Sequence, residues 1–444
     1  MMQHLDYSSA VSGHSWTYLS SWQTVWIGTI WRGCHILVAL QQSEATGCPL
    51  FHHRKIVRNM RTVSASGIVD QFSRLTEETN YYGHDSAWTF FTKLVQVPTS
   101  PLDQASATLA YFAEQYRDVI ARKLNLSNVS LLKQCEAYAQ TTLGVLSEHF
   151  WAIVYFLLRC GDAVSAHDVV VMHGADSIDP AVQRLVASLA QAQGSVDNLW
   201  QGSTYRITLD SGDRQGVADQ VESLKRTERP NMYQVGVYSL LSGQQPLTSS
   251  DTVEGFKMIE DYLYSALWRA VMVANPVDEL IELSNKILTL GPSHFQDASG
   301  WSFALPLLAT QQYRKALLWL SDAGGQMGLL QATHMGLALS HAGIVVKDLG
   351  RTDSADDTVA SLVVAYSSLL LSSRGSLVAM DYLVRIPNEV RARKEIARLI
   401  ADSGELDQLA GTITRDGTRQ GGALLELFAP TEVSAILAIA AQLS

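Results

Sequence analysis

Charge is scarce in this chain. Asp, Glu, Lys and Arg make up 17% of its 444 residues, against 47% for the apolar types. That balance excludes a mainly disordered chain, which needs low hydrophobicity and high charge to stay unfolded. Basic residues have no excess either. The formal net charge is −10 and the pI about 5.6, whereas a nucleic-acid-binding protein normally carries a basic stripe. The densest basic clusters are short: His52-His53-Arg54-Lys55 with Arg58 and Arg61, and Arg391 to Lys394. Both are expected to be solvated helix faces.

Cysteine is equally sparse. Cys34, Cys48, Cys135 and Cys160 include no C-x-x-C pair, which argues against a zinc or thioredoxin-type site. Four are too few for a disulfide scaffold, and free thiols in a reducing compartment fit best. Asn125-Leu-Ser and Asn128-Val-Ser match the glycosylation pattern. No secretory signal precedes them: the opening MMQHLDYSSA has neither a basic start nor an apolar run.

No apolar run reads as a membrane span. The best candidate, Trp22 to Leu40, contains Arg32 and His35 beside Gly28 and Gly33, and a span needs roughly 20 almost uncharged residues. Trp22, Trp26 and Ile30 recur at helical spacing, so a buried helix pair is expected there. The run GCPLFHHRK that follows reads as a loop.

The motifs of catalysis are missing. There is no G-x-G-x-x-G after a strand, no G-x-x-x-x-G-K-[ST], no H-E-x-x-H and no G-x-S-x-G. His52-His53 and His84-Asp85 could ligate a metal, but neither has a partner at ligand spacing; surface or loop histidines are the better reading. Cys160, at a helix end between Arg159 and Asp162, is a conceivable nucleophile, although a buried structural thiol fits better. Glu260 and Asp261 are adjacent, so their side chains diverge on a helix, and a solvated face is expected. Trp268, Trp301 and Trp319 lie in or beside apolar helical runs and read as core. No catalytic, cofactor-binding or metal-binding residue is assigned, and the chain is read as a non-enzyme. Partner-contact residues are not assigned either.

What is present is helical period. Trp151, Val154, Tyr155 and Leu158 recur at i, i+3, i+4 and i+7, one face of a helix. Cys160-Gly161-Asp162 interrupts it, with glycine to end one helix and aspartate to cap the next. Ala163, Ala166, Val169 and Val170 begin the second helix, giving an antiparallel hairpin with a tight turn. Phe303, Leu307 and Leu308, the turn Thr310-Gln311-Gln312, then Tyr313, Ala316, Leu317 and Leu320 repeat the pattern, with Pro306 kinking the first helix or in its first turn. Further hairpin halves are predicted at 102–123, 182–193, 253–274, 277–290, 329–341, 358–371 and 389–400. The 358–371 stretch is apolar nearly all round, as a helix between neighbours must be. Strands are nearly absent: 169–172 reads better as helix and 205–209 is short. Stretches 194–202, 209–216 and 347–357 carry the Gly, Ser and Asp of linkers. There is no fixed repeat period. The expectation is an all-α chain, an irregular α-solenoid of stacked antiparallel helical hairpins.

The stretch WAIVYFLLRCGDAVSAHDVV from Trp151 to Val170 resembles the solenoid of the nucleoporin-interacting component family, the inner-ring scaffold nucleoporin of the nuclear pore complex. There an aromatic-rich helix ends in an R-C-G-D turn and a small-residue helix follows. Collinear pieces add to it. Ile30-Trp31-Arg32-Gly33 resembles the early arginine–glycine element. The run from Arg229 to Ser242 is similar to the proline-led helix with a V-Y pair, and Ile259 to Leu267 to the D-Y-L-W segment. Gly291 to Phe295 resembles the G-x-x-H-F turn, Leu308 to Leu320 the T-x-Q-F-E-A-A hairpin, and Ala379 to Arg385 and Asp416 to Arg419 later elements. The set spans Trp22 to the C-terminus.

The resemblance implies a structural component of the nuclear pore, binding large scaffold, channel and membrane-associated adaptor nucleoporins. It implies support of pore assembly, protein import and mRNA export, at the nuclear envelope, with no cofactor, no direct nucleic-acid contact and no transmembrane span. Residues 1–20 are expected to be irregular and residues 21–444 to form the solenoid, truncated at both ends relative to the family. Family members carry a long N-terminal extension with coiled-coil and partner-binding segments. Cys34 to Val63 also departs from the pattern, where a glutamate- and glutamine-rich helix is expected. A generic α-solenoid adaptor of a coat or sorting complex is the alternative from helical pattern alone. An all-helical enzyme, with a pocket of convergent His and carboxylate groups, has no motif in its favour.

Overall fold

The computed structural model describes residues 49–443 except 61, 80–84, 127, 145–148, 174–177, 201–206, 208, 245–255, 257, 273–275, 296–300, 351–356 and 373–374. The Trp22–Leu40 run, the Ile30–Gly33 element, Cys34, Cys48 and His84 lie outside them. Among the described residues there are 21 α-helices and one two-stranded ribbon, Thr412–Ile413 paired antiparallel with Arg419–Gln420 around an Asp416-Gly417 turn. The solenoid class is as the sequence indicates.

The helices are α1 Pro49–Asn59, α2 Ala65–Thr79, α3 Asp85–Val95, α4 Pro101–Leu124, α5 Leu131–Leu143, α6 Phe150–Arg159, α7 Ala163–His173, α8 Pro180–Gln193, α9 Ser211–Lys225 and α10 Met232–Ser242. They continue as α11 Ile259–Met272, α12 Pro276–Leu290, α13 Trp301–Ala309, α14 Tyr313–Ala323, α15 Gly325–His341, α16 Thr358–Ser372, α17 Ser376–Leu383, α18 Glu389–Ser403, α19 Leu406–Ala410, α20 Ala423–Leu427 and α21 Pro430–Leu443.

Consecutive helices pack as hairpins, but the stack also doubles back on itself. Helix α1 lies against α17, α2 against α15, α4 against α11 and α12, and α6 against α10. The pairs are nested, so an outgoing limb (α1–α8) turns through α9 and α10 and returns alongside itself (α11–α17). Helices α18–α21 extend beyond the paired region, with α18 packed on α21.

Helix α4 is the axis. Its Ser100 cap accepts a hydrogen bond from the Asp103 N–H and donates to the Asp103 carboxylate, with Pro101 in the first turn. Every residue from Gln104 to Ala113 is buried. Only small, apolar or internally bonded side chains allow a helix to be covered on all sides. At 24 residues it is about 36 Å long, enough to touch both halves of the return limb.

The hairpin from Trp151 to Val171 forms as read: Val154, Tyr155, Leu158, Ala163, Ala166, Val169 and Val170 are buried. Pro306 lies inside α13. Trp268 and Trp301 are buried and Trp319 half-buried against Phe303. Two expectations are corrected. The supposed loop around PLFHHRK is helix α1, because Ile56 and Val57 bury one face while Arg54 and Arg58 bind across to α17. The supposed linker from Leu209 is helical from Ser211. Asp210 caps it, accepting from the Asp213 N–H at 2.8 Å, and burial of Val217 and Val221 outweighs the weak helix propensity of Gly212 and Gly216. Of the predicted 205–209 strand, Ile207 and Leu209 are described and belong to no strand.

Candidate functional site

The residues that carried the sequence pattern meet at three buried joints, where the outgoing and returning limbs are fastened together.

The first joint is the R-C-G-D turn. Gly161 has φ +71°; the Gly161 N–H donates to Leu158 O and the Asp162 N–H to Leu157 O, both at 2.9 Å. This is a Schellman closure, which needs a left-handed residue at that point. A Cβ on Gly161 would lie 2.4 Å from Asn198 Oδ1. Asp162 then caps α7, accepting from the Ser165 N–H at 3.0 Å. Arg117 of α4 holds the turn through Cys160 O at 2.8 Å and reaches Asp197 O at 2.7 Å.

Arg159 has a side chain only 2% exposed. Its Nε pairs with Asp261 Oδ1 at 3.1 Å and its Nη1 donates to Phe112 O at 2.9 Å. Its guanidinium sits 4.7 Å from the Tyr116 ring and 4.3 Å from the Tyr264 ring. Burial works against the charged guanidinium, but Asp261 and the surrounding phenols more than offset it, and the pKa is raised. Tyr264 donates to Leu158 O at 2.6 Å and accepts from Trp200 Nε1 at 3.1 Å. One side chain thus ties α6 to both α4 and α11. This corrects the expectation of a solvated Glu260–Asp261 face: Asp261 is 3% exposed, turned inward by a partner 102 residues away. Glu260 beside it is half-buried, with its Oε2 out of contact with solvent, and desolvation raises its pKa.

The second joint is the T-Q-Q turn. Thr310, Gln311, Gln312 and Tyr313 are all buried. Gln311 has φ +60° and plays the part of Gly161: the Gln311 and Gln312 N–H groups donate to Leu308 O and Leu307 O. Gln311 Nε2 reaches Pro101 O at 2.7 Å and Tyr313 Oη donates to Gln104 Oε1 at 2.8 Å, so this turn grips the N-terminal end of α4. Asp348, 1% exposed, accepts from the Lys315 N–H at 3.1 Å.

The third joint closes the limbs. Arg54 Nε and Arg58 Nε bind the two oxygens of Asp381 at 2.6 and 3.1 Å, and Asp381 is 2% exposed. Arg385 Nη2 caps Arg58 O at 2.8 Å. His334 bonds Tyr382 Oη at 2.6 Å and stacks on Phe72 at 4.5 Å. Arg54 and Arg58 are therefore joint residues, Arg54 largely covered and Arg58 still 41% exposed. Arg391 and Arg393 of the other basic cluster pair with Asp357 and Glu432 at part-exposed positions.

The charged side chains Arg159, Asp261, Arg54 and Asp381 are engaged in structural contacts. Cys160 is a fully buried free thiol at the first joint. The cavity lined by Tyr155, Gly236, Ser239 and Phe256 holds about 10 Å³, the size of one water. Among the described residues no group of three His, Cys, Asp or Glu side chains could hold a metal, and no helix is long and apolar enough to cross a membrane.

The sequence model of the Nup93/Nic96 family matches residues 120–442, a stretch that includes the R-C-G-D and T-Q-Q turns. The chain belongs to the Nup93/Nic96 family. As a Nup93/Nic96 protein it is a structural scaffold nucleoporin of the nuclear pore complex and not an enzyme. Its fold is also that of the solved Nic96 SOL structure from Chaetomium thermophilum. The two are 15% identical with a TM-score of 0.58, over 94% of this chain and 67% of that one. No curated protein matches the sequence. For this Nup93/Nic96 chain, the residues that sequence reasoning missed are Asp261, Asp381 and Arg54. For Asp261 and Asp381 the signal available was a charged residue beside or within an apolar run, which did not name a partner; Arg54 lay in a basic cluster that gave no such signal.

Proposed function

We propose that residues 21–444 form one α-solenoid scaffold domain of the pore's inner ring, preceded by an irregular segment over residues 1–20. It holds large scaffold, channel and membrane-associated adaptor nucleoporins at the nuclear envelope. Through them it supports pore assembly, protein import and mRNA export, without direct contact to nucleic acid. The family match over 120–442 carries this reading. The joints support it. A scaffold must hold its shape while partners pull on it, and buried charge pairs between segments far apart in sequence resist separation because opening them strands a charge. Partners would bury short segments against the outward helical faces, where Val171, Met172 and Val390 are exposed.

The test is localisation of the tagged chain together with its co-purifying proteins. A punctate nuclear rim and recovery of scaffold and channel nucleoporins are expected. A diffuse cytosolic signal, or recovery with vesicle coats and without pore components, would sink the proposal.

A further inference from the structure

We infer that Cys135 and Cys160 are a built-in thiol pair that a small disulfide oxidises to an intrachain disulfide, stapling helix α5 to the R-C-G-D joint. Both cysteines are free and fully buried, on elements that pack directly together. The Cys160 thiol is the largest influence on the Cys135 thiol and raises its pKa, as a near neighbour would. The register of the interface agrees independently. One turn along, Tyr138 and Phe156 meet edge-to-face at 5.0 Å. Tyr138 lies three residues after Cys135 and Phe156 four before Cys160, as antiparallel neighbours must.

Helix α5 is the weakly held member of the pair. It packs on α4 and α6, its Ser130 cap makes no side-chain hydrogen bond, and only Gln134, Cys135, Tyr138 and Ala139 are buried. Cys160 sits instead on the anchored joint, its carbonyl held by Arg117. Local opening of α5 therefore exposes Cys135 while the joint stays folded. In the closed state the neighbouring Cys160 thiol and burial push the Cys135 thiol well up, so the closed pair is inert and reaction is gated by opening.

With glutathione disulfide as oxidant, the opened Cys135 loses its proton and attacks one sulfur, and a glutathione thiolate leaves. With α5 still displaced, Cys160 loses its proton, its thiolate attacks the Cys135 sulfur of the mixed disulfide and the second glutathione leaves to solvent as a thiolate; α5 then recloses over the new disulfide. Two thiol protons and two electrons leave the protein, one S–S bond forms in it, and two glutathione thiols are produced.

The experiment uses the full chain in a C34S/C48S background. It is exposed to glutathione disulfide long enough for the α5 amides to exchange completely, then alkylated, digested and mapped by mass spectrometry. The expected result is a loss of about 2 Da on a cross-linked peptide pair containing Cys135 and Cys160. Amide exchange across α5 should slow by about ten-fold or more once the loop is closed. Two alkylated thiols after that exposure, a stable glutathione adduct on either cysteine, or a cross-link that leaves α5 exchange unchanged would each overturn the inference.

Discussion

Replacing Asp261 by Ala tests the first joint directly. Asp261 Oδ1 is the carboxylate partner of Arg159, and its Oδ2 accepts from the Met258 N–H at 3.2 Å at the start of α11. Both members of the pair are at most 3% exposed. Removing the carboxylate leaves a guanidinium buried without a counter-charge, which costs about 3–5 kcal/mol. Arg159→Met strands the opposite charge and also removes the guanidinium's bond to Phe112 O, which keeps its helical donor in α4, at a similar cost of about 3–5 kcal/mol. The double variant Arg159→Met/Asp261→Leu strands neither. Its remaining penalty is the lost side-chain bond to Phe112 O and the lost stacking on Tyr116 and Tyr264, about 1–3 kcal/mol. The three variants should therefore be strongly non-additive, with the double more stable than either single. Urea unfolding followed by far-UV circular dichroism at neutral pH measures this. If Asp261→Ala falls within about 1 kcal/mol of the parent, or if the double equals the sum of the singles, the buried pair is not a joint.

Glu260→Gln is expected to stabilise the protein at pH 7. Burial raises the folded pKa of Glu260 above its unfolded value, so ionisation penalises the folded state. The penalty is absent below the ordinary carboxylate pKa, grows as pH rises through the folded pKa and is constant above it. The gain from Gln should vanish by about pH 4 in a pH series of urea midpoints. Asp381→Ala should free α1 and α2 first, since it removes the shared anchor of Arg54 and Arg58. Hydrogen exchange should speed up there and stay unchanged across α6–α10; uniform loss of protection would count against three separate joints. In Gly236→Ala a Cβ would fall 2.8 Å from Phe256 Cζ and 3.0 Å from Tyr155, so a loss of about 1–3 kcal/mol is expected in the same unfolding assay. Tyr313→Phe unpairs the Gln104 amide at the end of α4 and should cost about 1 kcal/mol, read as a lower urea midpoint at unchanged slope.

The sequence by itself determined the local structure. Apolar spacing over a few turns placed α4, α6–α8, α12, α16 and α18, because helical period is a property of neighbouring residues. It also placed the first turn, since Gly161 supplies the left-handed backbone and Asp162 the cap, both within reach of the same segment. It misread the start of α1 and of α9, where weak helix formers fold because distant surfaces bury them. Even the Gln311 turn was legible as a break, although not as a left-handed residue in a side chain other than glycine. What only the tertiary structure decided is the fold-back. Its fasteners join Arg159 to Asp261, Gln311 to Pro101 and Arg54 to Asp381, across 102, 210 and 327 residues. Periodicity cannot distinguish a straight stack of hairpins from one that returns beside itself, since apolar spacing marks a buried face without saying which segment covers it. The choice lies in which buried charge meets which, and a charged residue in an apolar run shows its partner only once the two limbs lie side by side.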